Sequence, residues 1–234
     1  MLDVALSSQE LLACLGEIAQ RALTRFGLPT GSTARLINLS ENATYRVDTP
    51  SGARYALRVH RHGYHSRAAI RSELDWVIAI RRDTPVLTPA PVTGCDGDLI
   101  QEVAHPRLAA PRHCVLFAWE DGSEPQIGGG LAAHFETLGE LTATMHTHAR
   151  HWPRPSGFTR QHWTVESALG DDVPLWGRWR DGLGITPALT DLFAAIVRLI
   201  AARLRDCPGV VLAAMYAGYV FLMSVLKPDS APAL

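Results

Sequence analysis

The sequence contains almost no lysine and almost no asparagine. Lys227 is the one lysine, so arginine supplies nearly all of the positive charge. An arginine can therefore stand where a related protein carries lysine. The two asparagines, Asn38 and Asn42, both lie in the first half of the chain, so no asparagine ligand comes from the second half.

A strong excess of charge is also missing. The net charge is -1, with 19% charged and 47% hydrophobic residues among 234. Without a basic excess we expect no nucleic-acid partner, and without an acidic run we expect no disordered acidic tail. The chain is long enough for one large domain or two modest lobes with cores of their own.

The cysteines follow no metal-binding or disulfide spacing. The four of them are scattered, at Cys14, Cys95, Cys114 and Cys207. This pattern is typical of reduced thiols in a cytosolic protein. The N-terminus has neither a cationic start nor a cleavage signature, so it is not predicted to be a signal peptide. We expect a cytoplasmic protein.

Local patterns predict a strand-rich first half. Ser7 and Glu10 have the spacing of a capping box, which begins a helix that ends at Gly27. Apolar residues alternate at 45–47 and again at 55–59, around a turn at Thr49–Gly52. This alternation predicts an antiparallel hairpin.

A second helix is predicted from about Ser66 to Arg82, with strands after it at 98–103 and 113–119. Its inner face is expected to carry Ile70, Leu74, Val77 and Ile78.

After Trp119 the pattern becomes helical. Helices are predicted at 131–150, near 162–169 and at 187–205, the last with Pro187 at its first position behind a Thr186 cap. The sequence thus predicts a first lobe at 1–116, a linker and partial helical lobe at 117–208, and an apolar segment at 209–234.

One face of the predicted hairpin combines a small residue with a cation. Strand alternation places Ala56, Arg58 and His60 on the same side. A small residue lets a flat base approach, while a long cation reaches its phosphates. Glu73, on the next helix, could hold that cation in place. On these residues alone, a solvated arginine and a surface glutamate remain an alternative, since strand–helix charge pairs are common.

Six segments occur in a characteristic order: Leu39–Val47, Tyr55–Arg61, Ser72–Leu74, Pro89–Val92, Val115–Gly122 and Leu138–His146. Their order and spacing, over residues 36–179, resemble the aminoglycoside phosphotransferase and type II homoserine kinase group. The resemblance implies an α+β, protein-kinase-like fold with a small antiparallel-sheet N-lobe and an incomplete helical C-lobe. It also implies ATP-dependent phosphorylation of a hydroxyl on a small molecule such as an aminoglycoside, homoserine, choline or a sugar.

The resemblance assigns roles to particular residues. Ser40, Glu41 and Asn42 would form the turn that covers the phosphates. Arg58 would replace the lysine that contacts the α- and β-phosphates, with Glu73 as its ion-pair partner. Ala56 would pack on the adenine, and backbone groups of Phe117, Ala118 and Trp119 would bind its edge. A guanidinium is planar and bulkier than an ammonium, so the phosphate geometry is expected to differ.

The catalytic residues of the family have no counterpart in the sequence. The family places a His-x-Asp-x-x-x-x-Asn loop and an Asp-centred strand after the helix that ends near His148, and no His-x-Asp occurs in this chain. We therefore expect a chain that stops before the catalytic loop, binds ATP weakly, and uses Mg²⁺ only if a substitute ligand exists. Two functions stay open: a phosphotransferase that is inactive in this chain, or a non-catalytic nucleotide-binding or interaction protein.

Two clusters of histidines do not predict a metal site. His60, His62 and His65 form one, and His146, His148 and His151 form the other. Helical residues two apart point in different directions, and no acidic or cysteine partner completes either set. We expect polar histidines in a loop and at a helix end.

The segment 209–226 has eighteen residues without a charge. A membrane span needs about 17–25 residues, so this length is at the lower limit. Three interpretations compete: a buried or partner-binding helix, an out-of-frame tail, and a tail anchor. We expect the segment to fold back on Leu192, Ile196 and Leu199 or to mediate self-association, and a membrane span is disfavoured because the hydrophobicity is modest.

Overall fold

The structure, a computed structural model, describes residues 6–122, 131–161, 164–172, 174 and 177–204. The described elements, in chain order, are α1 (Ser8–Arg25), β1 (Thr33–Leu39), β2 (Ala43–Asp48), β3 (Arg54–Val59), α2 (Arg67–Asp83), β4 (Pro91–Val92), β5 (Gln101–Val103), β6 (Arg112–Ala118), α3 (Leu131–His151), α4 (Val165–Leu169) and α5 (Pro187–Leu204). A 3₁₀ turn at Trp179–Asp181 precedes α5.

The strands form one antiparallel sheet in the order β1-β2-β3-β6-β4, with β5 paired to β6. The predicted hairpin is confirmed as β2 and β3. The Thr49 N–H donates to the Ala53 carbonyl at 2.9 Å, and Gly52 in the same turn has a φ of +84° that favours glycine. Strand β1 was not predicted, because a bulge between Leu36 and Asn38 breaks its alternation and most of its residues are not buried.

Helix α1 covers one face of this sheet. Its predicted capping box is confirmed: the Glu10 N–H donates to Ser7 Oγ at 3.3 Å, and the Ser7 N–H donates to the Glu10 carboxylate at 2.9 Å. Ile18 and Ala22 are fully buried in the cluster that also holds Leu57 and Val59 of β3. This face therefore forms the main apolar core.

Helix α2 covers the opposite face, through Ile70 and Leu74. The expected inner position of Ile78 is wrong, because Ile78 is exposed and Ile80 is buried instead. Ile80 packs with Val86 and Met145 rather than with the sheet. The C-terminal end of α2 thus faces α3 rather than the sheet. The buried side of the helix is therefore different at this end from the side that Ile70 and Leu74 bury.

The contact between α2 and α3 also contains a polar network. His148 Nδ1 accepts a hydrogen bond from Trp76 Nε1 at 3.2 Å, and His148 Nε2 lies 3.0 Å from an Asp83 carboxylate oxygen. These bonds suit the neutral imidazole that carries its proton on Nε2. The network ties the strand-rich half to the helical half.

The predicted helices of the second half are present, and Thr186 caps α5 by accepting from the Leu189 N–H at 3.3 Å. An antiparallel sheet followed by helices confirms the α+β class. Leu192, Ile196 and Leu199 of α5 are exposed within the described part of the chain. Their expected partner, 209–226, lies outside the described residues. The boundaries 1–116, 117–208 and 209–234 stay predictions.

Among the helices that the structure describes, none combines the length and the apolar character that a bilayer crossing requires.

Candidate functional site

The centre of the candidate site is an ion pair between the C-terminal end of β3 and helix α2. Arg58 Nη1 lies 2.7 Å from Glu73 Oε1, and the two side chains are only 12% and 19% exposed. The structure therefore brings together the cation and the carboxylate that the sequence suggested as partners. A solvated arginine with a separate surface glutamate, the alternative, is wrong.

The ring of Phe117 supports the guanidinium of Arg58. Arg58 Cζ lies 5.4 Å from the centre of this buried ring, within the range of a cation–π interaction. Phe117 is on β6, where it pairs with Ala56 of β3. The family resemblance implies a role for the backbone of Phe117 alone, so the contact of its side chain with Arg58 was not predicted from the sequence.

The second oxygen of Glu73 is bound by another arginine. Arg160 Nη1 lies 3.3 Å from Glu73 Oε2 and also donates to the Ala69 carbonyl at 3.2 Å. Burial alone would raise the pKa of Glu73, but the charges of Arg58 and Arg160 outweigh it and lower that pKa to about 2. Glu73 is thus ionised at neutral pH. Sequence reasoning missed Arg160, since it is 87 residues from Glu73 and belongs to no motif.

Ala56 lies on the same strand face as Arg58, two residues earlier. It is half-buried and packs against the cluster of Ile70, Leu74 and Phe117. Its small side chain leaves room beside Arg58 on this face, and its contact with adenine stays a prediction.

The turn between β1 and β2 is fixed next to the end of β3. The Ser40 N–H donates to the Asn42 carbonyl at 3.1 Å, and Asn42 Oδ1 accepts from the Arg61 N–H at 3.1 Å. Since Thr44 pairs with Arg58, the turn that holds Ser40, Glu41 and Asn42 lies just beyond Arg58 along the hairpin. Ser40 and Glu41 are exposed there.

The N–H groups at the end of β6 and at the start of the linker donate to carbonyl groups of neighbouring segments. The Ala118 N–H donates to the Ala90 carbonyl at 2.8 Å, and the Trp119 N–H to the Arg54 carbonyl at 3.3 Å. These two N–H groups thus already have backbone acceptors, and the binding of a base edge by backbone groups of Phe117, Ala118 and Trp119 stays a prediction. Beyond them, the Glu120 N–H makes no backbone hydrogen bond within the residues described. Glu120 was not predicted as a site residue, because sequence patterns fix the last residue of a strand only to within a residue or two.

The indole of Trp119 fastens the linker to the hairpin. Its ring lies under two guanidinium groups, with Arg46 Cζ at 5.6 Å and Arg54 Cζ at 5.7 Å from the ring centre, and its N–H donates to Asp121 at 3.1 Å. The Trp119 side chain thus positions the linker from outside the site.

His60, two residues after Arg58, was expected in a polar loop and is instead buried. Its residue exposure is 3%, and neither ring nitrogen has a hydrogen-bond partner among the described residues. Burial, together with the charge of Arg58, lowers the pKa of His60 to about 3. The imidazole is therefore neutral at physiological pH.

The described residues do not fit a metal site. Within this part of the chain, no group of three or more His, Cys, Asp or Glu side chains could hold a metal ion. The Glu73 carboxylate, next to Arg58, is already bound by two arginines.

Comparisons with known proteins find one matching family model and two similar solved structures that bear on the site. The model of the phosphotransferase enzyme family (APH) matches residues 33–213. The solved structure of a microcompartment-associated aminopropanol kinase is 40% identical, with a TM-score of 0.71, over 82% of this chain and 58% of that one. An amicoumacin kinase in complex with AMP-PNP, Ca²⁺ and Ami is 14% identical, with a TM-score of 0.65, over 86% of this chain and 57% of that one, a likeness of fold alone.

A search of curated proteins finds no significant match. The chain spans less than two thirds of the two kinases, at 58% and 57% of their lengths.

Proposed function

The chain belongs to the phosphotransferase enzyme family, as its sequence predicted, and on that premise we propose that it binds an adenine nucleotide as part of a small-molecule kinase. The observation that carries the proposal is the ion pair of Arg58 and Glu73 at 2.7 Å. In protein-kinase-like folds a cation on the third strand contacts the phosphates, and a glutamate on the following helix orients it. Both groups are present here on the corresponding elements.

The remaining donors of Arg58 are the proposed phosphate contacts. A guanidinium has five N–H donors, and the one nearest to Glu73 is engaged with it. The planar fork can bind two phosphate oxygens at once, whereas a lysine would act as a point charge. Ser40, Glu41 and Asn42 would cover the phosphates. Ala56 would face the adenine.

For the base edge, we propose the Glu120 N–H in place of the N–H groups of Ala118 and Trp119. It is the first N–H after β6 that the sheet leaves without a backbone acceptor in the described part of the chain. Glu120 itself is held nearby, since its Oε1 lies 3.4 Å from Arg81 Nη1.

The proposed acceptor class for the whole protein is a small amino alcohol. The support is the aminopropanol kinase, which is 40% identical over 82% of this chain. Such a molecule offers a hydroxyl as the nucleophile, which agrees with the reaction of the family. An aminoglycoside, homoserine, choline or a sugar are the other acceptor classes to be compared.

We propose further that the chain by itself binds nucleotide without transferring phosphate. Transfer in this fold needs a carboxylate at the acceptor hydroxyl and two metal ligands. The sequence has no His-x-Asp, and both asparagines, Asn38 and Asn42, precede residue 43.

Replacing Arg58 by alanine is expected to weaken ATP binding at least tenfold. The wild-type chain should bind with a Kd near millimolar, or about 4 kcal/mol, because without the family's Asp and Asn ligands no Mg²⁺ would be held to neutralise the phosphates. Calorimetric titration of both proteins with ATP tests this. Arg25→Ala, on the exposed side of α1, removes the same charge far from the site and serves as the control. Equal binding by the wild type and Arg58→Ala, or no binding by either, would contradict the proposal.

Phosphate transfer from radiolabelled ATP is expected to stay at background for this chain. The residues proposed for the site position the nucleotide and neutralise its charge, but none of them is a general base for the acceptor hydroxyl. Transfer should therefore not occur. The assay should cover amino alcohols, aminoglycosides, homoserine, choline and sugars, each with and without Mg²⁺. Metal-dependent turnover that Arg58→Ala abolishes would show that a substitute carboxylate exists.

A further inference from the structure

We propose that Arg160 is a positioning residue of the nucleotide site, which fixes Glu73 and through it the orientation of Arg58 toward the phosphates. The inference rests on the proposed nucleotide binding and deepens it. It assigns to a residue of the helical half a role in a site that is otherwise built from β3, α2 and β6.

The two oxygens of Glu73 are divided between two cations. Oε1 is bound by Arg58 at 2.7 Å and Oε2 by Arg160 at 3.3 Å. A carboxylate held at one oxygen can rotate about its last torsion, whereas one held at both cannot do so without breaking a bond. Arg160 therefore holds Oε1 in the direction that meets Arg58.

Arg160 is itself anchored to α2. Its Nη1 donates to the Ala69 carbonyl at 3.2 Å, one turn before Glu73. The neighbouring Thr159 N–H donates to Ser72 Oγ at 2.9 Å, and the buried Ser72 hydroxyl donates in turn to the Ala68 carbonyl at 2.8 Å. Residues 159–160, here called the strap, thus lie along α2 with two separate anchors.

The strap is also connected to α3. Phe158 packs edge-on against Trp152, with ring centres 5.4 Å apart, and Trp152 stacks on His148 of α3 at 5.9 Å. A displacement of α3 would therefore move the rings of Trp152 and Phe158, and with them the strap that binds Glu73. The position of the helical half is in this way linked to the orientation of the Arg58 guanidinium, the group proposed to contact the phosphates.

The second arginine also changes the charge of the site. Arg58 and Glu73 alone would form a neutral pair, whereas Arg58, Glu73 and Arg160 together carry one net positive charge. The side chain of Arg160 is only 25% exposed, so water screens its charge incompletely. An anionic ligand beside Arg58 is then favoured by both the fixed orientation and the net charge.

The test compares ligands with and without phosphates. Arg160→Gln is expected to weaken binding of ATP and ADP about fivefold, the size of a coupling between residues in one network, and to leave adenosine binding unchanged. Arg160→Lys keeps the charge and should recover most of the affinity. Titrations followed by ligand-detected NMR suit millimolar binding. Arg154→Gln is the matched control, since it removes the same charge from an exposed side chain that lies 6.0 Å from the Phe158 ring.

Ser72→Ala provides a second variant, because it removes the other anchor of the strap without a change of charge. It should give a smaller loss with the same preference for phosphorylated ligands. In the double variant Arg58→Ala/Arg160→Gln, the loss beyond that of Arg58→Ala should be smaller than the loss in Arg160→Gln alone, because the orienting effect of Arg160 acts through Arg58 and only its charge still contributes.

Two results would overturn the inference alone: ATP binding that falls with Arg58→Ala and not with Arg160→Gln, or an Arg160→Gln loss of equal size for ATP and adenosine. A wild-type chain that binds no nucleotide would overturn the proposed function as well. If Arg160→Gln does not fold, as judged by circular dichroism, Ser72→Ala replaces it in the comparison, and a loss of equal size for ATP and adenosine in that variant would overturn the inference.

Discussion

Acidification below pH 6.5 is expected to destabilise the protein strongly, chiefly through the buried His60, while His65 and His113, whose pKa values burial also lowers, add to the effect in the same direction. Burial lowers the pKa of His60 from 6.5 to about 3 in the folded protein. Between these values the unfolded chain binds one proton more than the folded chain, so stability falls as the pH falls. A shift of this size corresponds to up to about 5 kcal/mol at pH 3 and to little effect above pH 7.

His60→Leu should remove most of this pH dependence and stabilise the protein at neutral pH. Both ring nitrogens of His60 are buried without a partner in the described part of the chain. A buried polar group without a hydrogen bond costs about 1–3 kcal/mol, and leucine carries no such group. Urea unfolding between pH 7.5 and 3.5 measures both effects, with His62→Leu, at an exposed position, as the control. Equal pH slopes in the wild type and His60→Leu would show that His60 is not the group responsible.

Glu73→Gln is expected to cost about 3 kcal/mol at pH 6, and the cost should vanish toward pH 2. The pKa of Glu73 is lowered from 4.5 to about 2 in the folded protein, with burial opposing the shift and Arg58 and Arg160 causing it. The stabilisation is therefore present above pH 4.5 and is lost as the pH falls through 2. The glutamine variant leaves two partly buried arginines without a carboxylate.

The difference in unfolding free energy between the wild type and Glu73→Gln, measured from pH 6 to pH 2, tests this. Groups that do not interact with Glu73 cancel in the difference, whereas His60 and His65, whose pKa values the charge of Glu73 raises, do not cancel fully. Glu136→Gln, at an exposed position of α3, is the matched control. A difference that stays constant across this range would mean that the ionised carboxylate contributes nothing. The stability change due to His60 begins below pH 6.5, and the change due to Glu73 begins below pH 4.5. The two variants therefore report on different pH ranges.

Local chemistry explains which elements could be predicted from the sequence. The capping box at Ser7 and Glu10 and the turn at Thr49–Gly52 depend on residues a few positions apart, and both are confirmed. Strand alternation and one helical position made Arg58 and Glu73 possible partners, but these patterns left a solvated arginine and a surface glutamate open, and the family resemblance favoured the pair. The family resemblance is confirmed by the match over residues 33–213.

Long-range contacts account for what the sequence did not reveal. Ile80 replaces Ile78 as a buried residue because the end of α2 packs on α3, and helical periodicity contains no information on that partner. Arg160 reaches Glu73 from 87 positions away. The role of 209–226 stays a prediction, since that segment lies outside the described residues.

The bulge in β1 has a consequence for how molecules of this protein meet one another. β1 is at the end of the described sheet, so one row of its backbone groups faces away from β2. Such an edge is a template on which a strand from another molecule can add. The register shift between Leu36 and Asn38 interrupts the regular spacing of these groups and increases the local twist. An irregular edge of this kind opposes intermolecular sheet growth and the aggregation that follows from it.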